Sequence, residues 1–178
     1  EQSLSLHAGN HTVPRQLLVR ASKARNKPTP LPFDTSLLEV RAALPTATNV
    51  VKIGGLRLFS LPAALVASGP AFFENQPIDA RTALTLVRDG SEVLTLLLEG
   101  GHSVIAGRLA GSFRNIGRTR IADDILKTMR AAGYTVRERD PFVRQIPRIL
   151  PQREISPFAG RIRLMWQQMR EPVLEMIP

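Results

Sequence analysis

One stretch, Gly101–Gly133, constrains the fold more than any other: GHSVIAGRLAGSFRNIGRTRIADDILKTMRAAG. Ile105, Leu109, Phe113 and Ile116 recur at helical spacing. After Gly117, Ile121, Ile125 and Met129 do the same, with Ala122 and Leu126 beside them. Apolar residues at i, i+4 and i+8 line one face of a helix. Gly117 and Gly133 stand where a left-handed residue closes a helix. The pattern predicts two helices joined by a tight turn. Gly107, Ala110 and Gly111 lie along the first and predict a close helix–helix approach. The polar faces are mostly basic, with Arg108, Arg114, Arg118, Arg120, Lys127 and Arg130 against Asp123 and Asp124. This is a helical pair with an apolar inside and a cationic outside: a binding surface without a catalytic constellation.

The chain before this pair predicts a small sheet that feeds further helices. Gln2–Ala8 carries Leu4 and Leu6 and reads as a helix end stopped by Gly9-Asn10. His7 and His11 are four apart, which on a helix suits a metal. Gly9-Asn10 between them breaks the helix, so they read as loop histidines. Arg15–Ala21, RQLLVRA, has the apolar run of a buried strand. Ser22–Pro32, SKARNKPTPLP, reads as a basic loop, where Lys23, Arg25 and Lys27 either contact phosphate or form a solvated tip. Ser36–Ala42 is a second strand. Val50–Ile53 and Leu56–Phe59 flank Gly54-Gly55 and predict a hairpin. Ser60 and Pro62 start a helix through Val66. Asp79 caps a helix over Ala80–Arg88, Ser91–Glu99 continues, and Tyr134–Arg139 alternates as a further strand. The expected class is α+β. A small mixed or antiparallel sheet occupies residues 1–60 and a helical part residues 61–139.

Residues 140–155 hold Pro141, Pro147 and Pro151 and read as a Pro-rich linker. Ser156-Pro157 then starts a final amphipathic helix, residues 156–178. Its stripe of Phe158, Ile162, Met165, Trp166 and Met169 supplies candidate interdomain or dimer contacts.

Charge and cysteine usage narrow the partners. Lys and Arg number 24 against 15 Asp and Glu, a net charge of +9 carried mostly by Arg. Arg suits bidentate contacts to phosphate or carboxylate, so an acidic partner fits. There is no Cys, which excludes disulfides and thiolate metal sites and fits a reducing compartment. No apolar run approaches the roughly 20 residues of a membrane span, and no signal peptide is evident. The expected location is the cytoplasm, without membrane contact. The chain begins at Glu1 and stops at Pro178 inside an apolar pattern, which predicts a piece of a longer protein.

Four segments carry a resemblance. EQSLSLHAGNHTVPRQLLVRASKARNKPT, GLRLFSLPAAL, EGGHSVIAGRLAGSFRNIGRTRIADDILKTMRAAGY and RIRLMWQQMREPV together resemble the region before the catalytic domain of bacterial Fic-family proteins. Gln2–Val66 is also similar, more loosely, to the part of AbiEi-type antitoxin regulators that follows their winged helix. The first resemblance implies a non-catalytic regulatory or substrate-positioning module. A Fic domain beyond Pro178 would transfer AMP from ATP to protein hydroxyls, and would be this segment's partner. ATP and magnesium are implied only for that domain, and this segment is expected to hold no cofactor or metal. The Fic signature, HPFxxGNGR in form, is not matched: Ser156-Pro157-Phe158-Ala159-Gly160-Arg161 lacks the His and the GNGR turn. No catalytic residue carries over. The second resemblance implies a DNA-binding module of antitoxin type. A homodimer built on the final helix is a third expectation.

Overall fold

The structure, a computed structural model, describes residues 1–142. The linker beyond Phe142 and the final helix, with Phe158, Ile162, Met165, Trp166 and Met169, lie outside the described residues. The class is α+β, as the sequence predicts: five strands in two small sheets stand before the main helices.

The central pair forms as its periodicity demands. Helices α6 (Ser103–Asn115) and α7 (Thr119–Ala131) bury Leu109, Phe113, Ala122, Ile125 and Met129. Gly117 has φ +80° and ends α6; its N–H bonds the Arg114 carbonyl, and the Arg118 N–H reaches back to Phe113. Gly133 ends α7 through the matching bonds to Arg130 and Met129. These are Schellman closures, which satisfy carbonyls that a helix end leaves orphaned. The same bonding ends α1 (Gln2–His7) and α5 (Ser91–Glu99).

Around the pair pack α2 (Leu61–Ala67), α3 (Pro70–Asn75), α4 (Pro77–Leu86) and α5. Leu4, Leu65, Phe72, Phe73, Leu84 and Leu97 join Phe113 in one core. The rings of Phe72 and Phe73 meet edge-on at 5.9 Å, a geometry the ring quadrupoles favour. Helix α3, PAFFEN, has no apolar periodicity long enough to signal it; burial of its two Phe fixes it. Helix α4 starts at Pro77, earlier than the expected Ala80, because Pro suits a first turn. Asp79 does not cap it but accepts a hydrogen bond from Asn10 Nδ2 at 2.8 Å. No helix among the described residues is long and apolar enough to cross a membrane.

Two expectations about the end of this body are corrected. Tyr134–Arg139 joins no sheet. It runs extended along α6, where the Arg139 N–H donates to the Gly107 carbonyl at 3.0 Å. A Cβ at Gly107 would collide with the Arg137 carbonyl, and one at Gly111 with the Arg139 carbonyl. Gly107 and Gly111 therefore admit this strap. The strap ends at Phe142, whose ring lies 5.9 Å from that of Phe73 with Arg81 stacked 4.6 Å above it. Packing thus extends past residue 139.

The strands form two sheets. β4 (Val50–Ile53) and β5 (Leu56–Phe59) are the hairpin expected at Gly54-Gly55. β1 (Gln16–Ala21), β2 (Pro28–Leu31) and β3 (Thr35–Arg41) form a mixed sheet in the order β1-β3-β2. β1 runs parallel to β3 with Gln16 opposite Ser36, and β2 is antiparallel to β3. Strand β2 falls inside Ser22–Pro32, the stretch that reads as a basic loop. Its pairing survives because Pro is tolerated on an edge strand. β1 is not buried: Leu17, Leu18 and Val19 are all exposed, Leu18 to 48%.

Candidate functional site

Of the cations that the sequence brings forward, three are committed inside the fold. Arg108 projects from α6 across the ring of Phe73, 5.5 Å from its centroid, and donates from Nη2 to the Ser68 carbonyl at 2.6 Å. Its Nε is buried without a partner among the described residues, and burial pushes the guanidinium down from its ordinary value. Arg114 forks onto Glu138 of the strap, with Nε at 2.6 Å and Nη2 at 3.3 Å, and also reaches Asp123 of α7 at 2.6 Å. Those hydrogen bonds, Glu138 first, hold it above the usual arginine range. Arg118 sits just past Gly117 and donates to the carbonyls of Thr85, at 3.1 Å, and Val87. It thereby closes the end of α4, which has no Schellman glycine.

Arg120, Lys23, Arg25 and Lys27 remain exposed. The structure does not bring them into one set. Arg120 is at the start of α7, and the other three precede β2. Arg120 borders a groove of about 740 Å³ between the α4–α5 turn and α7. Arg88 and Arg118 share this groove with Asp89 and Asp124, so its charges are mixed. His7 and His11 form no pair. The His7 ring bonds the Phe59 carbonyl through Nε2 at 2.8 Å, and α1 ends at His7.

Among the described residues, the sheet β1-β3-β2 presents an open surface. Its two edges differ. On β2, Thr29 and Leu31 pair with Leu37 and Thr35, the β3 residues that face β2, so Pro28 and Pro30 turn outward and that edge has no N–H to offer. On β1, the Arg15 and Ala21 carbonyls accept from Ser36 and Ala42, so the odd-numbered residues face β3. Residues 16, 18 and 20 then turn their backbone groups outward, by strand alternation. The Gln2 side chain occupies the first outward rung: its Nε2 donates to the Gln16 carbonyl at 2.8 Å, and its Oε1 accepts from the Leu18 N–H at 3.0 Å. The next rung, the Leu18 carbonyl and the Arg20 N–H, has no partner among the described residues. The Arg20 side chain is anchored over Phe59 at 4.9 Å. At the end of the sheet where β1 begins, the β2–β3 turn presents Phe33, 97% exposed at φ +60°. A bulky residue in the left-handed region is strained, and such positions concentrate at working surfaces.

Sequence reasoning singles out neither Gln2, Leu18, Arg20 nor Phe33. The run RQLLVRA signals a strand but not which edge it leaves open, and nothing local to Gln2 signals that its amide meets residues 16 and 18. No family model, no curated protein and no solved structure matches this chain.

Proposed function

We propose that the chain is a non-catalytic regulatory or substrate-positioning module of a Fic-family AMP transferase. The resemblance of its four segments supports this reading. The structural observation that carries it is the division of labour in the fold. The helical core buries its apolar faces and ties down Arg108, Arg114 and Arg118, while the sheet β1-β3-β2 holds apolar strands and ladder groups in solvent. A surface of that kind serves docking. In this reading catalysis, ATP and magnesium belong to a Fic domain in the same polypeptide, and the cytoplasm is the place of action.

Labelled AMP transfer tests the proposal. Residues 1–178 incubated with labelled ATP, magnesium and a protein extract should incorporate no label. The polypeptide that includes the Fic domain should label a target, and removing residues 15–42 should reduce target labelling without stopping ATP turnover. Label transferred by residues 1–178 alone, or target labelling indifferent to the sheet, would count against it.

Nucleic acid is the second reading, favoured by exposed cations that include Lys23, Arg25, Lys27 and Arg120. Counterion release requires such binding to fall steeply with salt. Replacing the four with Ala should weaken it on any sequence. Absence of duplex binding at low salt removes this reading.

A further inference from the structure

We propose that the outer edge of β1 is a peptide-docking site that takes an extended, acidic segment of a protein partner by strand addition. The inference deepens the positioning role proposed above. It is tested on residues 1–178 by themselves, so peptide binding and AMP transfer can fail separately.

Three observations converge on it. The first is the asymmetry of the sheet. An open edge invites another strand, and folds commonly blunt edges with proline. Here β2 carries Pro28 and Pro30, while β1, QLLVRA, has no proline and ends on a rung, at Leu18 and Arg20, that has no partner among the described residues. The second is the Gln2 carboxamide. A primary amide that donates to the carbonyl of residue 16 and accepts from the N–H of residue 18 makes the two bonds that the N–H and C=O of one residue of an added parallel strand would make. The edge therefore already holds an amide in ladder geometry, supplied by a side chain that can rotate away. The third is charge. Residues 15–42 carry six cations, Arg15, Arg20, Lys23, Arg25, Lys27 and Arg41, against the carboxylates of Asp34 and Glu39. An incoming strand gains main-chain bonds from the edge and side-chain selection from what flanks it. The flanking groups here are the exposed Leu17, Leu18 and Val19 together with that basic margin. The complementary segment alternates β-branched apolar residues with Glu or Asp. Phe33, at the end of the sheet where β1 starts, gives the segment an aromatic contact beyond the ladder.

The probe is a fluorescein-labelled peptide of alternating valine and glutamate, blocked at both termini, followed by anisotropy. Saturable binding to residues 1–178 is expected. The same peptide N-methylated at every backbone nitrogen keeps its charge and side chains but has no N–H to give to the ladder. It should bind about tenfold more weakly or worse, the effect of losing one to two hydrogen bonds. Gln2→Ala removes the resident amide and should tighten binding several-fold. Arg20→Pro removes an outward N–H without touching the bonds to β3, and should abolish binding while the circular-dichroism melt is retained. Where Arg20→Pro disturbs the fold, the N-methylated peptide decides alone. The proposal is overturned by absence of binding, by binding that survives N-methylation, which would make it charge alone, or by sedimentation showing that a second copy already covers β1 in the free protein.

Discussion

Arg118 and Arg120 stand two residues apart and carry the same charge, yet they do opposite work. Arg118 donates to the carbonyls that end α4, and Arg120 points into solvent. A hydrogen bond from a charged donor to an otherwise unpaired carbonyl contributes about 1.5–3 kcal/mol. Arg118→Ala should therefore lower unfolding free energy by about that amount in urea melts, whereas Arg120→Ala should stay within about 0.5 kcal/mol. Equal effects would mean that Arg118 is not the cap of α4. Asp89 makes a second residue-scale prediction. Its Oδ2 accepts from the Ser91 hydroxyl at 2.5 Å and its Oδ1 from the Ser91 N–H at 3.0 Å, which hold the carboxyl below its ordinary range. A depressed carboxylate stabilises the fold above its unfolded pKa of about 3.9 and loses that contribution as pH falls through the lower folded value. Carboxyl NMR titration should show Asp89 ionised below the usual aspartate range, and Ser91→Ala should move it back up. An unchanged titration in that variant would remove Ser91 as the cause.

Helices α5, α6 and α7 were legible because each is marked twice, by apolar spacing and by a closing glycine; α3 and α4 lack one mark or the other. Leu109 and Phe113, or Ile125 and Met129, recur at four, and Gly117 and Gly133 follow where the carbonyls need partners. The strand partners were not legible. Nothing local to RQLLVRA states that it pairs in parallel with SLLEVRA, since parallel register is set by what lies between the strands. The role of Gly107 and Gly111 was half legible: small residues announce a close approach but not by what. The partner is the strap Tyr134–Phe142, held by Arg114–Glu138 and by Asn115 donating to Asp140 at 2.7 Å. Gly107→Ala should push the strap off α6 at a cost of about 1–3 kcal/mol. Hydrogen exchange should then quicken at the Arg139 amide, with little change in α7. A melt equal to that of the unsubstituted protein would mean the strap does not rest on Gly107.

Taken whole, the molecule divides into a part that is closed and a part that is open. In the closed part Phe73, Leu97, Phe113 and Met129 are sealed, and Arg108, Arg114 and Arg118 tie α6, α7 and the strap to their neighbours. Half of the cationic face expected on the helix pair, Arg108, Arg114 and Arg118, is thereby internal wiring, while Arg120, Lys127 and Arg130 stay exposed; sequence alone does not reveal the split, because a paired and a free arginine look the same in it. The open part is the sheet β1-β3-β2, whose outward groups on β1 await a partner. Residue-resolved amide hydrogen exchange on residues 1–178 tests this division most directly, because exchange reports which N–H groups are bonded and how far they must open. The account predicts slow exchange at Phe113, Ile125 and Met129. Along β1 it predicts an alternation, with Val19 slower than Arg20 and Arg20 slowing once the acidic peptide is added. An Arg20 amide as slow as that of Phe113 in the free monomer would contradict it.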